Sequence, residues 1–171
     1  MPLEKAFVFF QAGVEKNPKS AYANYGLAKC YYLSGNYHKS SDICKRFIYK
    51  KNEYRNDFNI LYARSMIALG VQDKAIAALS ASIEEYPGNS MLYYYRALAY
   101  YKNSELERAY RDARKCIELK ENFFDPHILL GIIMYERNND RNAAVPMYYG
   151  LFRDAGSPRA RKLLYIINVL I

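Results

Sequence analysis

The feature that most restricts the fold of this chain is a repeat of 34 or 35 residues. Small residues recur at that spacing in two series: Ala6, Ser40, Ala75, Ala109 and Ala143, and Ala28, Ala63, Ala97 and Gly131. A third series lies between them at the same spacing and consists of Gly35, Gly70, Ser104 and Asn138. Three series in one phase indicate a chain built from one supersecondary unit repeated several times.

Each unit is predicted to be a helical hairpin. Apolar residues follow a helical period between the markers, as in Ile76, Leu79 and Ile83. The third series stands where one helix must end and the chain reverse, and Gly and Asn readily adopt the left-handed conformation found there. Ser104 suits that conformation less well. The small residues of the first two series are typical of places where two helix backbones approach closely.

Four segments carry this pattern most clearly: LAKCYYLSGNYHKS (27–40), YARSMIALGVQDKA (62–75), RALAYYKNSELERA (96–109) and LGIIMYERNNDRNA (130–143). They resemble the tetratricopeptide repeat (TPR) family. The tryptophan that the family places early in the first helix is replaced by Asn24, Asn59, Tyr93 and His127. The resemblance implies an all-α fold, a right-handed superhelical solenoid of helix-turn-helix repeats.

We expect a single TPR domain over residues 1–171. Its predicted parts are a half repeat at 1–20, full repeats at 21–55, 56–89, 90–123 and 124–156, and a terminal helix at 157–171. The loop before Tyr54 carries the one extra residue. Solenoids normally end in polar capping elements, and both ends here lack one, so the sequence is expected to be a fragment of a longer chain.

The terminal helix has an apolar face with no following helix to cover it. Stacking on another molecule would bury that face, so we expect self-association through the ends of the array. The residues of this predicted oligomerisation face are Leu163, Leu164, Ile167 and Leu170.

Cysteine use and hydropathy bear on the compartment. Cys30, Cys44 and Cys116 form no metal-like cluster, and an odd number suits reduced core thiols and a cytoplasmic location. A disulfide between Cys30 and Cys44 is the alternative.

The longest apolar runs, 128–135 and 163–171, are shorter than the ~20 residues that cross a bilayer, so no membrane span is predicted.

No constellation of catalytic residues stands out. The two histidines, His38 and His127, lie almost three repeats apart and cannot share a site. Zinc-protease, CxxC, nucleophile-elbow and phosphate-loop motifs are not found, and the glycines punctuate the repeats instead of clustering. The prediction is a protein that is not an enzyme and binds no cofactor or metal.

The resemblance implies that the first helices of the stacked hairpins line a concave groove that binds peptides or partner helices. The groove positions lie three residues before, one after and four after the small residue of each first helix. They form the rows Tyr25, Ile60, Tyr94, Ile128; Lys29, Arg64, Leu98, Ile132; and Tyr32, Ile67, Tyr101, Tyr135. Such an apolar surface open to solvent would mark a binding site. The alternative is that superhelical curvature or the terminal helices bury these side chains.

The predicted function is a noncatalytic scaffold or adaptor whose partner is a protein or peptide. Tyrosine, of which the chain has nineteen, provides large contact area with little side-chain entropy to lose. The clamp with which some TPR domains hold a terminal carboxylate is absent, because Tyr25, Lys29 and Leu61 occupy three of its positions. A structural subunit that assembles through exposed end helices is the second hypothesis.

Binding of RNA is a third and less favoured hypothesis, prompted by the net charge of +8. RNA-reading helical repeats use polar side chains at regular positions, whereas the groove rows here are mostly apolar. The basic residues are predicted to lie mainly on an outward-facing second helix and the loop after it: Lys39, Lys45, Arg46, Lys50, Lys51 and Arg55.

Overall fold

The structure of the protein, a computed structural model, describes residues 2–138 and 144–153, and every regular element in those stretches is an α-helix. The all-α prediction is confirmed. The helices are α1 Leu3–Lys16, α2 Ala21–Leu33, α3 Tyr37–Lys45, α4 Arg55–Ala68, α5 Gln72–Glu85, α6 Ser90–Lys102, α7 Leu106–Leu119, α8 Phe124–Asn138 and α9 Ala144–Arg153.

The helices belong to two compact units, Met1–Glu85 and Tyr86–Ile171. In the first unit each of α1 to α4 packs against the next helix, and α2 also contacts α4. In the second unit α6 to α9 pack in the same sequential way, and α6 also contacts α8. Within each unit the first helices of successive hairpins are therefore neighbours.

The hairpin turns use the left-handed conformation at three of the four predicted positions, whereas the fourth, Asn138, is the last helical residue of α8. Gly35 and Gly70 have φ angles of 80° and 75°, and Ser104 has a φ angle of 60°. The residue after each one donates its N–H to a carbonyl five positions earlier, as Asn36 does to Tyr31 at 2.8 Å, which closes the helix end. Ser104 adopts this conformation despite its Cβ, at a cost of roughly 1–2 kcal/mol.

The small residues lie where the helices approach most closely. Ala28, Ala63 and Ala97 on the first helices are fully buried, as are Ala75 and Ala109 on the second helices. Ser40 is the polar member of the second series, and its hydroxyl accepts a hydrogen bond at 3.1 Å from the Ser65 hydroxyl. The small side chains therefore keep the interhelical spacing short.

A buried ion pair joins the two helices of the hairpin formed by α6 and α7. The Arg96 guanidinium donates from Nε to Asp112 Oδ2 at 2.6 Å and from Nη2 to Oδ1 at 2.9 Å. The Arg96 and Asp112 side chains are only 18% and 10% exposed. The rings of Tyr93 and Tyr100 lie 5.7 and 5.8 Å from the guanidinium carbon, so aromatic rings enclose the charge.

The cysteines are core thiols, as predicted. Cys30, Cys44 and Cys116 are buried and unbridged, so the alternative of a Cys30–Cys44 bridge is wrong. Burial raises the pKa of the Cys44 and Cys116 thiols to about 12, so both stay protonated at neutral pH. Within residues 2–138 and 144–153, no helix is long and apolar enough to cross a membrane.

Candidate functional site

In the first unit the predicted groove positions lie on the neighbouring helices α2 and α4. Tyr25, Tyr32, Ile60 and Arg64 are half-buried, and Lys29 is exposed. Ile67 is 8% exposed and offers almost no surface to a ligand. Ile67 is therefore buried, as the alternative to an open groove expected, whereas the other five side chains keep part of their surface open to solvent.

An aromatic cluster surrounds Tyr25. Its ring stacks on Tyr54 with centroids 5.7 Å apart and meets Phe58 edge-on at 5.5 Å. Tyr22, an exposed residue one turn earlier on α2, lies 6.1 Å from the Tyr54 ring. Because Tyr22 is three residues from Tyr25, helical spacing alone could have added it to the groove. Tyr54 lies in the loop with the extra residue, where no periodic signal applies.

Cations lie beside this aromatic surface. The guanidinium of Arg64 sits over the Tyr32 ring, 4.4 Å from its centroid. Burial raises the pKa of the Asp57 carboxyl, and the nearby positive charge of Lys29 partly opposes that rise. The surface of the first unit thus combines stacked rings with basic groups and one carboxyl, a mixture suited to a peptide with apolar and polar side chains.

In the second unit the first helices α6 and α8 carry the remaining positions. Tyr94 packs edge-on against Phe123, with centroids 5.0 Å apart, and Leu98 and Tyr101 pack against the core around Ala97. The Tyr101 hydroxyl donates to Glu136 Oε1 at 2.7 Å. Burial, followed by this carboxylate contact, raises the pKa of Tyr101 to about 12, so the hydroxyl stays protonated at neutral pH.

The α8 positions share their surface with the next helix. Ile128 and Ile132 are partly buried against Met147 and Leu151 of α9, and Tyr135 is half-buried. The next residue along α8, Glu136, is a contact that sequence reasoning missed. The periodic apolar pattern does not select a carboxylate, and only the hydrogen bond to Tyr101 reveals its place in this surface.

Several of the outer basic residues have structural contacts. Arg46 donates to Asn24 Oδ1 at 3.3 Å, and Arg55 binds the Ile48 carbonyl at 3.0 Å and Glu85 at 2.7 Å. The ammonium groups of Lys39 and Lys50 lie over the Tyr31 and Phe47 rings, at 5.3 and 5.1 Å. These four side chains therefore help to hold the fold, which reduces the charge that a nucleic acid could use.

The predicted oligomerisation residues Leu163, Leu164, Ile167 and Leu170 lie outside the described residues. At the other end, α1 has no buried residue. Val8 and Phe9 on this helix are 68% and 57% exposed. Phe9 lines an apolar groove of about 400 Å³, together with Phe10, Gly13 and Tyr22, among others.

Two family models match the chain. One is described as "Anaphase-promoting complex, cyclosome, subunit 3" and matches residues 3–82, and the other is described as "Tetratricopeptide repeat" and matches residues 63–117. No curated protein gives a significant sequence match.

Among solved structures, the chain is similar to TTC0263, a thermophilic TPR protein of Thermus thermophilus, with a TM-score of 0.84 and 17% identity over 99% of this chain and 91% of that one. It is similar to YrrB, described as a TPR protein with an unusual peptide-binding site, with a TM-score of 0.68 and 16% identity over 94% and 82% of the chains. It is also similar to human IFIT1, solved as a dimer with m7Gppp-AAAA, with a TM-score of 0.70 and 18% identity over 83% of this chain and 35% of the IFIT1 chain. At these identities the likeness concerns the fold alone.

Proposed function

This chain belongs to the tetratricopeptide repeat family, and from that premise we propose that it is a noncatalytic scaffold that binds a peptide segment or partner helix on the groove surface of its first helices. TPR proteins are in general protein-interaction modules. The observation that carries the proposal is the pair of half-buried tyrosines on a first helix in each unit: Tyr25 and Tyr32 on α2, which contacts α4, and Tyr94 and Tyr101 on α6, which contacts α8.

The chemistry of this surface favours a largely apolar peptide. Tyr25 and Tyr101 present ring faces that are already ordered, Tyr25 by stacking on Tyr54 and Tyr101 by its hydrogen bond to Glu136. A ligand that packs on them loses little of the protein's side-chain entropy. The peptide-binding site named for YrrB and the subunit named by the first family model both agree with a role in binding another protein.

Nucleic acid is the less favoured ligand, although the IFIT1 structure contains a capped oligonucleotide. The basic residues of the outer face are partly occupied by Asn24, by Glu85 and by aromatic rings. A phosphate backbone would need several free cations on one face.

We predict that Tyr25→Ala weakens binding of protein ligands at the first unit and Tyr101→Ala at the second, each by roughly 1–3 kcal/mol, because each removes a rigid aromatic contact from the surface of its unit. The measurement is calorimetric titration of peptides selected on the protein from an unbiased display library. Thermal unfolding of each variant checks that the domain is intact.

Tyr148→Ala is the matched control, since Tyr148 is exposed on α9, outside the groove positions. It should leave the affinity of these peptides unchanged. Selected peptides that bind both tyrosine variants as tightly as the parent would refute the groove proposal.

A second candidate function, structural assembly, is favoured by the exposed apolar residues of α1. Phe9 lines a groove that a second copy could fill, and Val8 beside it is also exposed; exposed apolar patches of this kind mark association sites. The proposed C-terminal face, Leu163 to Leu170, would act in the same way.

We predict that the protein self-associates and that Phe9→Glu reduces this association, because a carboxylate would have to be buried in the contact. Multi-angle light scattering at tens of micromolar measures the mass directly. Leu119→Glu, at an exposed site on α7, is the control. A parent protein that is monomeric throughout would remove this candidate.

A further inference from the structure

A second cleft lies within the first unit, away from the groove positions. It has a volume of about 400 Å³ and is bounded by the end of the segment that follows α3, by α4 and by α5. The short α3 leaves this space open, because the helix ends at Lys45 and the chain then turns through hydrogen bonds from the N–H groups of Phe47 and Ile48 to the Cys44 carbonyl. Ala77, Ala78 and Ala81 form its α5 wall.

The wall of this cleft contains a polar side chain that the fold does not use. Asn59 is 6% exposed, and within the described part of the chain its amide has no hydrogen-bond partner. The hydroxyl of Tyr62, one turn further along α4, likewise has no hydrogen-bond partner there. Neither group is sealed off from the cleft, because the fully buried side-chain atom without a partner in the described residues is Asn56 Oδ1, so both can bond to a ligand there.

Side chains at the same position of other repeats make hydrogen bonds within the described part of the protein, which the Asn59 side chain does not. Asn24, 35 residues before Asn59, donates to the carbonyls of Pro18 and Ser20 at 3.1 and 2.8 Å and accepts from Arg46 at 3.3 Å. His127, in the second unit, has its Nε2 at 3.0 Å from the Glu121 carbonyl and its ring against Tyr149. Asn59 therefore differs from both in facing an open cleft with its amide unused.

The cleft has the features that a peptide backbone requires. A primary amide offers a donor and an acceptor side by side, which matches the C=O and N–H of one peptide group. The three alanines let a main chain approach that part of α5 closely, since their side chains end at Cβ. A small polar molecule would not use the length of that wall.

The charges around the cleft favour an acidic peptide. Lys74 lines it and has no ion-pair partner among the described residues, whereas the negative charge of Glu85 is paired with Arg55 at 2.7 Å. Lys74, Arg55 and Glu85 are the charged residues that line the cleft, so the net charge of the lining is positive.

We propose that this cleft binds an extended acidic peptide segment of a partner protein, with Asn59 hydrogen-bonded to one peptide group and Lys74 paired with a carboxylate. The site is separate from the groove surface of the proposed function. It gives the scaffold a second binding face for a ligand of different chemistry.

Fluorescence anisotropy with a labelled decapeptide of alternating Asp and Ala tests this proposal. Saturable binding is expected, and Asn59→Leu should weaken it about tenfold, the effect of losing hydrogen bonds worth roughly 1.4 kcal/mol. The thermal midpoint of Asn59→Leu should stay the same or rise, since no internal hydrogen bond is lost. Asn24→Leu, the matched variant, should instead lower the midpoint.

Further variants separate the cleft from other sites. Ala81→Leu should fill the cleft and weaken binding, and Lys74→Glu should shift the preference to a decapeptide of alternating Lys and Ala. Tyr101→Ala should change neither result. Loss of acidic-peptide binding in Tyr101→Ala with full binding in Asn59→Leu would overturn the cleft proposal and leave the groove proposal standing.

Three other results would also overturn the cleft proposal. One is no saturable binding of the acidic decapeptide, and another is full competition by a uridine decamer, which would indicate a nucleic-acid ligand. The third is a lowered midpoint with unchanged affinity in Asn59→Leu, which would make Asn59 a structural residue. Failure of the groove experiment alone would not alter any of these readouts.

Discussion

Replacing Asp112 by alanine is expected to destabilise the second unit by about 3–5 kcal/mol, the largest effect of any single substitution considered. Asp112 is the bidentate partner of Arg96, and both side chains are largely buried between α6 and α7. Removing the carboxylate leaves the guanidinium buried without its counter-ion, which costs more than the intact pair contributes. Urea denaturation followed by circular dichroism measures the change.

Glu118→Ala provides the control on the same helix. Glu118 pairs with Lys115 at 3.2 Å, and both side chains are about half exposed. Exposed pairs of this kind contribute ~0–1 kcal/mol, so this variant should unfold almost as the parent does. Similar decreases in the free energy of unfolding in the two variants would show that the Arg96–Asp112 pair is not buried.

Ala75→Leu and Ala109→Leu are expected to destabilise the protein by roughly 1–3 kcal/mol each. Both alanines are fully buried at close contacts between helices, so the added methylenes force the backbones apart. Ala77→Leu makes the same chemical change on α5 at an exposed position and should alter stability by less than ~0.5 kcal/mol, as should Lys51→Ala. Thermal unfolding of the four variants is the measurement, and equal midpoints would refute the assigned repeat register.

The sequence was sufficient to predict the helical hairpins because their constraints are periodic. Gly35 and Gly70 mark helix ends by a backbone conformation that other residues avoid, and Ala28 and Ala63 mark close contacts by their size. Ser104 shows that position in the repeat can outweigh the preference of the residue itself, because the surrounding hydrogen bonds fix its φ angle of 60°.

Other features depended on contacts that no repeat pattern encodes. Asn24 and Asn59 occupy the same register position, yet only Asn24 meets Arg46 and the Pro18 carbonyl. The early end of α3, which opens the second cleft, follows from local turns after Lys45 in the one repeat with an extra residue. The exposure of each groove side chain likewise depends on neighbours such as Tyr54 and α9.

The salt dependence of ligand binding tests the central claim, a largely apolar groove for protein ligands, most directly. Calorimetric titration of a display-selected peptide between 50 and 200 mM NaCl should show an affinity that changes by less than about tenfold, because apolar contacts need no release of counterions. Tyr101→Ala should weaken binding by the same factor at every salt concentration. The contrary result is a loss of affinity of roughly 10³-fold over that range, with full binding in Tyr101→Ala and no binding in a variant that carries both Lys45→Glu and Lys51→Glu. That result would contradict the groove proposal and place the ligand on the basic outer face.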